Sequence, residues 1–163
     1  MRLVRRWMFV LSVFWLFCSV LLAASRQPTI SIASQRTAYV LGQPIRIRVV
    51  LRNTTDREFT IFQSVGGVRG EQYYSVSVIG PGGKPAVITA YGAVVLKHIS
   101  VAGSRIMRMV KPGGAAKVEY VTVSRLFHMV APGTYLVQVS RPSPLDSAVI
   151  LKSNRLTIKV EHE

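Results

Sequence analysis

The sequence predicts an all-β fold, an antiparallel two-sheet sandwich that follows an apolar N-terminal segment. Apolar and polar residues alternate with a period of two through most of the chain after residue 26, as in strands that bury one face. Short turn sequences rich in Gly, Pro and Asn separate the alternating runs. No window after the N-terminal segment shows the apolar spacing of a helix, and no linker divides the region. We therefore expect a single sandwich domain.

The N-terminal segment has the composition of an export signal. Three arginines among the first six residues precede an apolar run, Trp7 to Ala24, and small residues stand just before a cleavage point at Arg26. We expect residues 1–25 to be a signal peptide and residues 26–163 to be the sandwich domain. The domain is then extracytoplasmic, either periplasmic or secreted.

The same apolar run can also be interpreted as an uncleaved membrane anchor. It contains bulky Trp and Phe residues and is close to the length that spans a bilayer, about 20 residues. In that case the arginines stay in the cytoplasm and the domain still faces outward. Contact with a membrane is expected through residues 7–24 alone, and only if the signal is not cleaved.

The composition of the domain narrows its chemistry. The one cysteine of the chain, Cys18, lies inside the N-terminal segment. The domain therefore has no thiol, which excludes disulfides, thiolate metal sites and a cysteine nucleophile. The whole chain carries 21 Lys and Arg against 7 Asp and Glu, a formal net charge of +14. Such a charge favours anionic partners.

The clearest strand covers residues 45–52. Its odd positions are all Ile, Val or Leu, and three of its even positions are arginines. Because alternate side chains of a strand point to opposite faces, the aliphatic row is expected in the core. The outward face then carries Arg46, Arg48 and Arg52, which together we call the arginine face.

Other strands are predicted from shorter alternating runs. They lie at residues 30–32, 59–63, 74–78, 86–89, 105–110, 118–123, 135–139 and 156–160. Turn sequences at residues 42–44, 53–56, 80–83, 111–114 and 131–133 separate them.

The segment 126–139 carries the most specific signal for a fold family. It contains an apolar pair, a Pro132-Gly133 turn, and then Tyr135, which opens an alternating strand. This pattern resembles the entry to strand F in immunoglobulin-like sandwiches. There a tyrosine corner ties the chain down through a hydrogen bond from the tyrosine hydroxyl to upstream backbone. The resemblance implies that Tyr135 is such a corner, with a structural role.

Together with residues 42–44 before the first long strand and residues 153–156 before the last, the segment 126–139 makes most of residues 28–160 resemble the immunoglobulin-like domains of bacterial exported proteins. More loosely, they are similar to the bacterial intracellular proteinase inhibitor (BsuPI-like) fold, through residues 50–55, 112–114 and 132–135. These are turn and core motifs, so the resemblance implies a fold rather than a function.

No catalytic, cofactor or metal site is predicted, and we expect that the protein is not an enzyme. The three histidines, His98, His128 and His162, are scattered, and no serine stands in a nucleophile motif. We expect His128 to be a partly buried loop residue. The glycine-rich residues 80–84 lack the spacing of a phosphate-binding loop and predict a hairpin turn.

The arginine face allows two interpretations. Like charges on one side of a strand repel one another, so the face must be solvated. It is either an ordinary solvated face or a binding surface for an envelope polyanion, acidic lipid headgroups or an acidic protein. Nucleic acid is not expected as a partner, because no aromatic and basic residues interleave as in stacking platforms.

Two functions are compatible with these observations. The first is a non-catalytic exported interaction or accessory module of the bacterial cell envelope, whose partner is a protein or an anionic envelope component. The alternative is a proteinase-inhibitor-like domain acting on extracytoplasmic proteases, with an inhibitory loop in the irregular stretch 91–110.

Overall fold

A computed structural model of the chain describes residues 27–64, 70–97, 105–116 and 118–162. The signal peptide or anchor predicted for residues 1–25 lies outside these ranges. Most regular structure in the described residues is strand, arranged in several sheets with few helices, which is consistent with an all-β sandwich. No helix within these ranges is both long enough and apolar enough to cross a membrane.

The described elements follow one another along the chain as short strands with few helical turns between them. The strands are β1 (Thr29–Ser34), β2 (Ala38–Val40), β3 (Arg46–Arg52), β4 (Phe59–Ser64), β5 (Ser75–Ile79), β6 (Arg105–Val110), β7 (Glu119–Thr122), β8 (Gly133–Pro142), β9 (Ile150–Lys152) and β10 (Leu156–Glu161). The helical segments are the 3-10 turns Gly70–Tyr73 and Pro81–Gly83 and the short helices Ala90–Leu96 and Val123–Leu126.

The first sheet has the antiparallel order β1-β3-β7. Strand β3 lies in the middle, and its Arg48 pairs with Ala33 of β1 on one side and with Tyr120 of β7 on the other. The aliphatic row of β3 points inward and is almost completely buried. This alternation is the one that the sequence predicts for residues 45–52, and it places the arginines on the outer face.

The second sheet has the order β2-β10-β8-β5, and β9 pairs with the same strand β8 as β10 does. Strand β2 runs parallel to β10, whereas the other pairs are antiparallel. The register of β8 shifts by one residue between the pairs Ser140–Lys152 and Leu136–Thr157. The segment between β9 and β10 therefore contains one extra residue relative to β8, which is a β-bulge.

The bulge supplies a side chain that joins the two sheets. The Asn154 amide accepts a hydrogen bond from the Ile32 N–H, at 2.9 Å, and donates one to the Ile32 carbonyl, at 3.0 Å. These backbone groups of β1 point away from β3, and Asn154 pairs both of them as a neighbouring strand would. Edge strand β1 is thereby closed at this position.

The hydrophobic core lies between the two sheets. Its centre consists of aliphatic residues from β3, β7, β8 and β10, which have almost no exposed surface: Ile47, Val49, Leu51, Val121, Val137, Val139, Ile158 and Val160. Burying each such side chain contributes about 1.5–3 kcal/mol. The core rather than any covalent link therefore holds the described domain together.

A third, two-stranded ribbon pairs β4 with β6. Its inner face adds Phe59, Ile61 and Val110 to the core. Its outer face carries the directly opposed side chains of Phe62 and Met107, which are 52% and 70% exposed. The ribbon strands at residues 59–63 and 105–110 are confirmed predictions.

Two predictions for the middle of the chain are wrong. Residues 86–89 form no strand, only an isolated bridge from Ile88 to Phe127, because Thr89 turns the chain into the helix Ala90–Leu96 and accepts a hydrogen bond from Gly92 N–H, at 2.9 Å. The stretch 91–110 is not an irregular loop in its described parts, since it contains most of that helix and all of β6.

The helix Ala90–Leu96 is not predicted from the sequence, for a physical reason. It has seven residues, including a glycine and two valines, which are weak helix formers. Tertiary contact stabilises it instead. A Cβ atom on Gly92 would lie 2.2 Å from the Leu126 carbonyl oxygen, so a glycine is needed for this close approach.

Candidate anion-binding face

The three arginines of the arginine face are exposed on the outer side of β3. Inward residues separate them, so Arg46 and Arg48 lie about 7 Å apart along the strand. Arg52 lies two further alternations away, beyond Val50. The face therefore consists of a close pair of arginines and a more distant third one.

Tyr120 of β7 organises the close pair. It pairs directly with Arg48, while the Arg46 guanidinium lies over its ring, 5.0 Å from the ring centre. This is a diagonal contact between neighbouring strands, and it has the geometry of a cation–π interaction. The contact holds the Arg46 side chain against the sheet and orients its guanidinium at the surface.

Two adjoining open grooves meet at Arg46. The larger, of about 450 Å³, is lined by Ala33, Ser34, Gln35, Arg46, Arg48 and Tyr120. The smaller, of about 290 Å³, is lined by Gln35, Arg36, Tyr39, Gln43, Pro44 and Arg46. Because the two grooves share Gln35 and Arg46, they form one trough, which we call the arginine trough.

The trough only partly matches the predicted arginine face. It includes Arg46 and Arg48, whereas Arg52 lines neither groove. It also includes Arg36 and Tyr120, which sequence analysis did not select. Alternation in residues 118–123 could have placed Tyr120 on the outer face. Arg36 lies in the turn between β1 and β2, where alternation gives no information.

The arginines of the trough have no acidic partner in the described part of the chain. Within these residues a single ion pair is found, between Lys159 and Glu161, at 2.7 Å. It lies on β10, in the other sheet. No aspartate or glutamate lines either groove. The guanidinium groups of Arg36, Arg46 and Arg48 are therefore available to an anion from outside.

Two carboxylates lie on the opposite, inner side of the same sheet. Glu119 of β7 and Glu71 of the turn Gly70–Tyr73 are 3% and 4% exposed. The Tyr74 hydroxyl hydrogen-bonds Glu119. Arg141 is the nearby cation, and its guanidinium lies 5.5 Å from the centre of the Tyr74 ring. One oxygen of each carboxylate has no hydrogen-bond partner in the described chain.

Burial determines the protonation of this cluster. It raises the pKa of Glu119 above its ordinary value of 4.5, and the negative charge of Glu71 raises it further. The Tyr74 hydrogen bond and the Arg141 charge lower this pKa, but burial outweighs them. Burial also raises the pKa of Tyr74, which therefore remains a hydrogen-bond donor at neutral pH. Burial thus disfavours the charged form of Glu119.

Tyr135 lies at the start of β8 with its side chain 2% exposed. Its hydroxyl donates to the Ala131 carbonyl, at 2.8 Å, and accepts from the Ala131 N–H, at 3.3 Å. Both backbone groups of Ala131, four residues before Tyr135 in the chain, are thereby paired with one side chain. Such contacts fix the path of the chain into β8 and carry no chemistry.

The remaining polar residues do not form a second site. The prediction that His128 is partly buried is wrong: it is exposed, while its neighbours Phe127 and Met129 are buried. Alternation in this extended segment turns the imidazole outward. In the described ranges, no three His, Cys, Asp or Glu side chains gather where they could hold a metal ion.

Comparison with known proteins gives no family and no curated relative: no family model matches the chain, and no curated protein does. Similar solved structures include the CARDB domain of a Pyrococcus furiosus protein in complex with di-metal ions, with 11% identity, a TM-score of 0.45, and coverage of 84% of this chain and 96% of that one. Spo0M, a sporulation control protein from Bacillus subtilis, has 11% identity, a TM-score of 0.46, and coverage of 85% and 51%. A β-glucosidase from Listeria innocua has 12% identity, a TM-score of 0.43, and coverage of 82% and 16%.

The chain thus spans about half of the sporulation control protein and a small part of the glucosidase. At these low identities the likenesses concern only the fold of the chain, and the description as an all-β sandwich rests on its own sheets.

Proposed function

We propose that this protein is a non-catalytic, exported interaction module of the bacterial cell envelope that binds an anionic partner. The observation that carries the proposal is the arginine trough. Its arginines are exposed and face no described carboxylate, and the Arg46 guanidinium is held against the Tyr120 ring. In a chain with a formal net charge of +14, such a surface attracts anions over a distance and binds them on contact.

The proposal includes an immunoglobulin-like architecture. The order β2-β10-β8-β5, with β2 parallel to β10, and the separate β1-β3-β7 sheet support it. The pair of hydrogen bonds from Tyr135 to Ala131 supports it as well, since it has the geometry expected of a tyrosine corner. Such domains serve many proteins as interaction modules, so the architecture is compatible with the function but does not select it.

The lining of the trough supports a non-catalytic role. Arginine, amide, hydroxyl and aromatic groups line it, and no histidine or carboxylate stands there as a general base. The Ser34 hydroxyl is paired with the Tyr39 hydroxyl, at 2.5 Å, rather than with a base. These groups can bind and orient an anion, but they offer no proton acceptor near neutral pH.

Removing the charge of the arginine trough tests the proposal directly. The triple change Arg36→Ser, Arg46→Ser and Arg48→Ser should lower the salt concentration at which the protein elutes from immobilised dextran sulfate. The matched control removes three exposed cations elsewhere, through Lys84→Ser, Lys152→Ser and Arg155→Ser. We expect a clearly smaller shift for the control. Equal shifts would mean that net charge alone causes retention, which contradicts a binding face.

Export is tested on the protein recovered from its native cells. N-terminal sequencing should give a mature chain that begins at or near Arg26, as cleavage of the signal requires. A full-length chain that resists carbonate extraction from membranes would replace the cleaved form with the anchored one. A full-length chain in the cytoplasm would contradict export.

A further inference from the structure

The arginine trough, rather than the whole arginine face, has the features of a ligand site. Two grooves with shared walls extend it from Arg48 past Arg46 to Arg36. It is thus elongated, open to solvent and positively charged along its length. This shape suits a chain molecule lying in the trough better than a compact anion.

The cations of the trough are all arginines. A guanidinium presents a planar fork of donors that pairs with a carboxylate, sulfate or phosphate through two parallel hydrogen bonds. Arg46 and Arg48 follow one another about 7 Å apart along the strand. Successive anionic groups on one chain can therefore pair with successive arginines.

Neutral hydrogen-bonding groups fill the space between the arginines. Gln43 accepts a hydrogen bond from the Val40 N–H through its side-chain oxygen, at 3.2 Å, which leaves the amide NH2 group for a ligand. Ser34 and Tyr39, whose hydroxyls pair with each other, also line the trough. Groups of this kind match the hydroxyls of a sugar, and Tyr120 adds a flat, 40% exposed aromatic surface.

We propose that the arginine trough binds a linear acidic polysaccharide. The acidic groups of the sugars pair with Arg48, Arg46 and Arg36, while their hydroxyls bind the neutral groups between them. This inference rests on the proposed function, because it names the ligand class of the same face. Binding of a polysaccharide in the trough differs from binding to a lipid surface in one respect. Arg52, which lines neither groove, takes no part in it.

Single substitutions in the exported protein separate these possibilities. The probe is a galacturonate hexamer, and binding is measured by titration calorimetry at low salt for Arg36→Ser, Arg48→Ser and Arg52→Ser. Each variant loses one exposed arginine, so Arg52→Ser is the matched control for charge. We expect the Kd to rise about tenfold for Arg36→Ser and for Arg48→Ser, as for the loss of one charged pair, and to change less than about twofold for Arg52→Ser.

The same three variants are then tested on phosphatidylglycerol vesicles and on poly-glutamate. If vesicles bind and all three arginines contribute equally, the partner is a flat anionic surface and the trough inference is wrong, while the proposed function stands. If poly-glutamate binds through Arg36 and Arg48 but the galacturonate hexamer does not bind, the ligand is an acidic peptide and the inference is again wrong. If none of the probes, including dextran sulfate, depends on these arginines, the proposed function itself fails.

Discussion

The two faces of the β1-β3-β7 sheet carry charged residues in opposite environments. On the outer face, Arg46 and Arg48 are exposed and have no described acidic partner. On the inner face, Glu119 is 3% exposed and interacts with Tyr74, Arg141 and Glu71. Glu119 and Tyr120 are neighbours in β7, yet one side chain points to the core and the other contacts Arg46 on the surface.

The buried carboxylates are separated from the arginines by the sheet. The charged groups that act on Glu119 are Arg141 and Glu71. Glu119 and Glu71 are almost fully buried, and neither lines a groove of the arginine trough. The exposed outer arginines are expected to contribute little to folding.

The interior itself contains two kinds of buried polar group. The Tyr135 hydroxyl satisfies both backbone groups of Ala131, whereas Glu119 and Glu71 each leave one oxygen without a described partner. A buried polar group stabilises a fold only when it is paired. We therefore expect opposite effects when the two kinds are altered.

The largest effect is expected at the satisfied group. Tyr135→Phe removes both hydrogen bonds between the buried Tyr135 side chain and the Ala131 backbone, so the free energy of unfolding should fall by about 1–3 kcal/mol. Urea denaturation followed by circular dichroism measures it. The control Tyr120→Phe removes an exposed hydroxyl and should change stability by less than about 0.5 kcal/mol. Equal stabilities for Tyr135→Phe and wild type would contradict the structural role of this hydroxyl.

A gain in stability is expected at the unsatisfied group. Glu119→Gln keeps an acceptor for the Tyr74 hydroxyl and removes a buried charge, so the free energy of unfolding at pH 7 should rise by about 1 kcal/mol. Glu119→Ala, as a control, removes the acceptor as well and should destabilise the domain. A loss of stability in Glu119→Gln would mean that the ionised Glu119 pairs favourably with Arg141.

The pH dependence of stability gives a second test of the buried Glu119. Since the folded-state pKa of Glu119 is raised above its ordinary value of 4.5, the folded protein binds this proton more tightly than the unfolded chain does. The stability that this tighter proton binding contributes is fully present below pH 4.5 and is lost as the pH rises through the raised pKa of Glu119. The advantage of Glu119→Gln over wild type should therefore grow with pH over this window and then level off. An advantage that shrinks with rising pH would contradict the direction of the pKa shift.

Sequence analysis predicts one face of this sheet much better than the other. Alternation in residues 45–52 places the arginines outside and the aliphatic row inside without any knowledge of neighbours. The interior cluster depends on Tyr74, Glu119 and Arg141, which come together from β7, β8 and the entry to β5. Their contact follows from strand order and register, which local patterns do not encode. Arg36 joins the trough for the same reason, through the pairing of β1 with β3.

The central claim is that the outer face binds a ligand and the inner face maintains the fold. The double change Arg46→Ser and Arg48→Ser tests it when stability and hexamer binding are measured on the same preparation. We predict a free energy of unfolding within about 1 kcal/mol of wild type, since exposed substitutions cost about 0.5 kcal/mol or less each. Affinity for the galacturonate hexamer should fall at least about tenfold, and wild-type binding should weaken as salt increases. Unchanged binding at low salt, or a loss of binding that merely accompanies unfolding, would contradict the account.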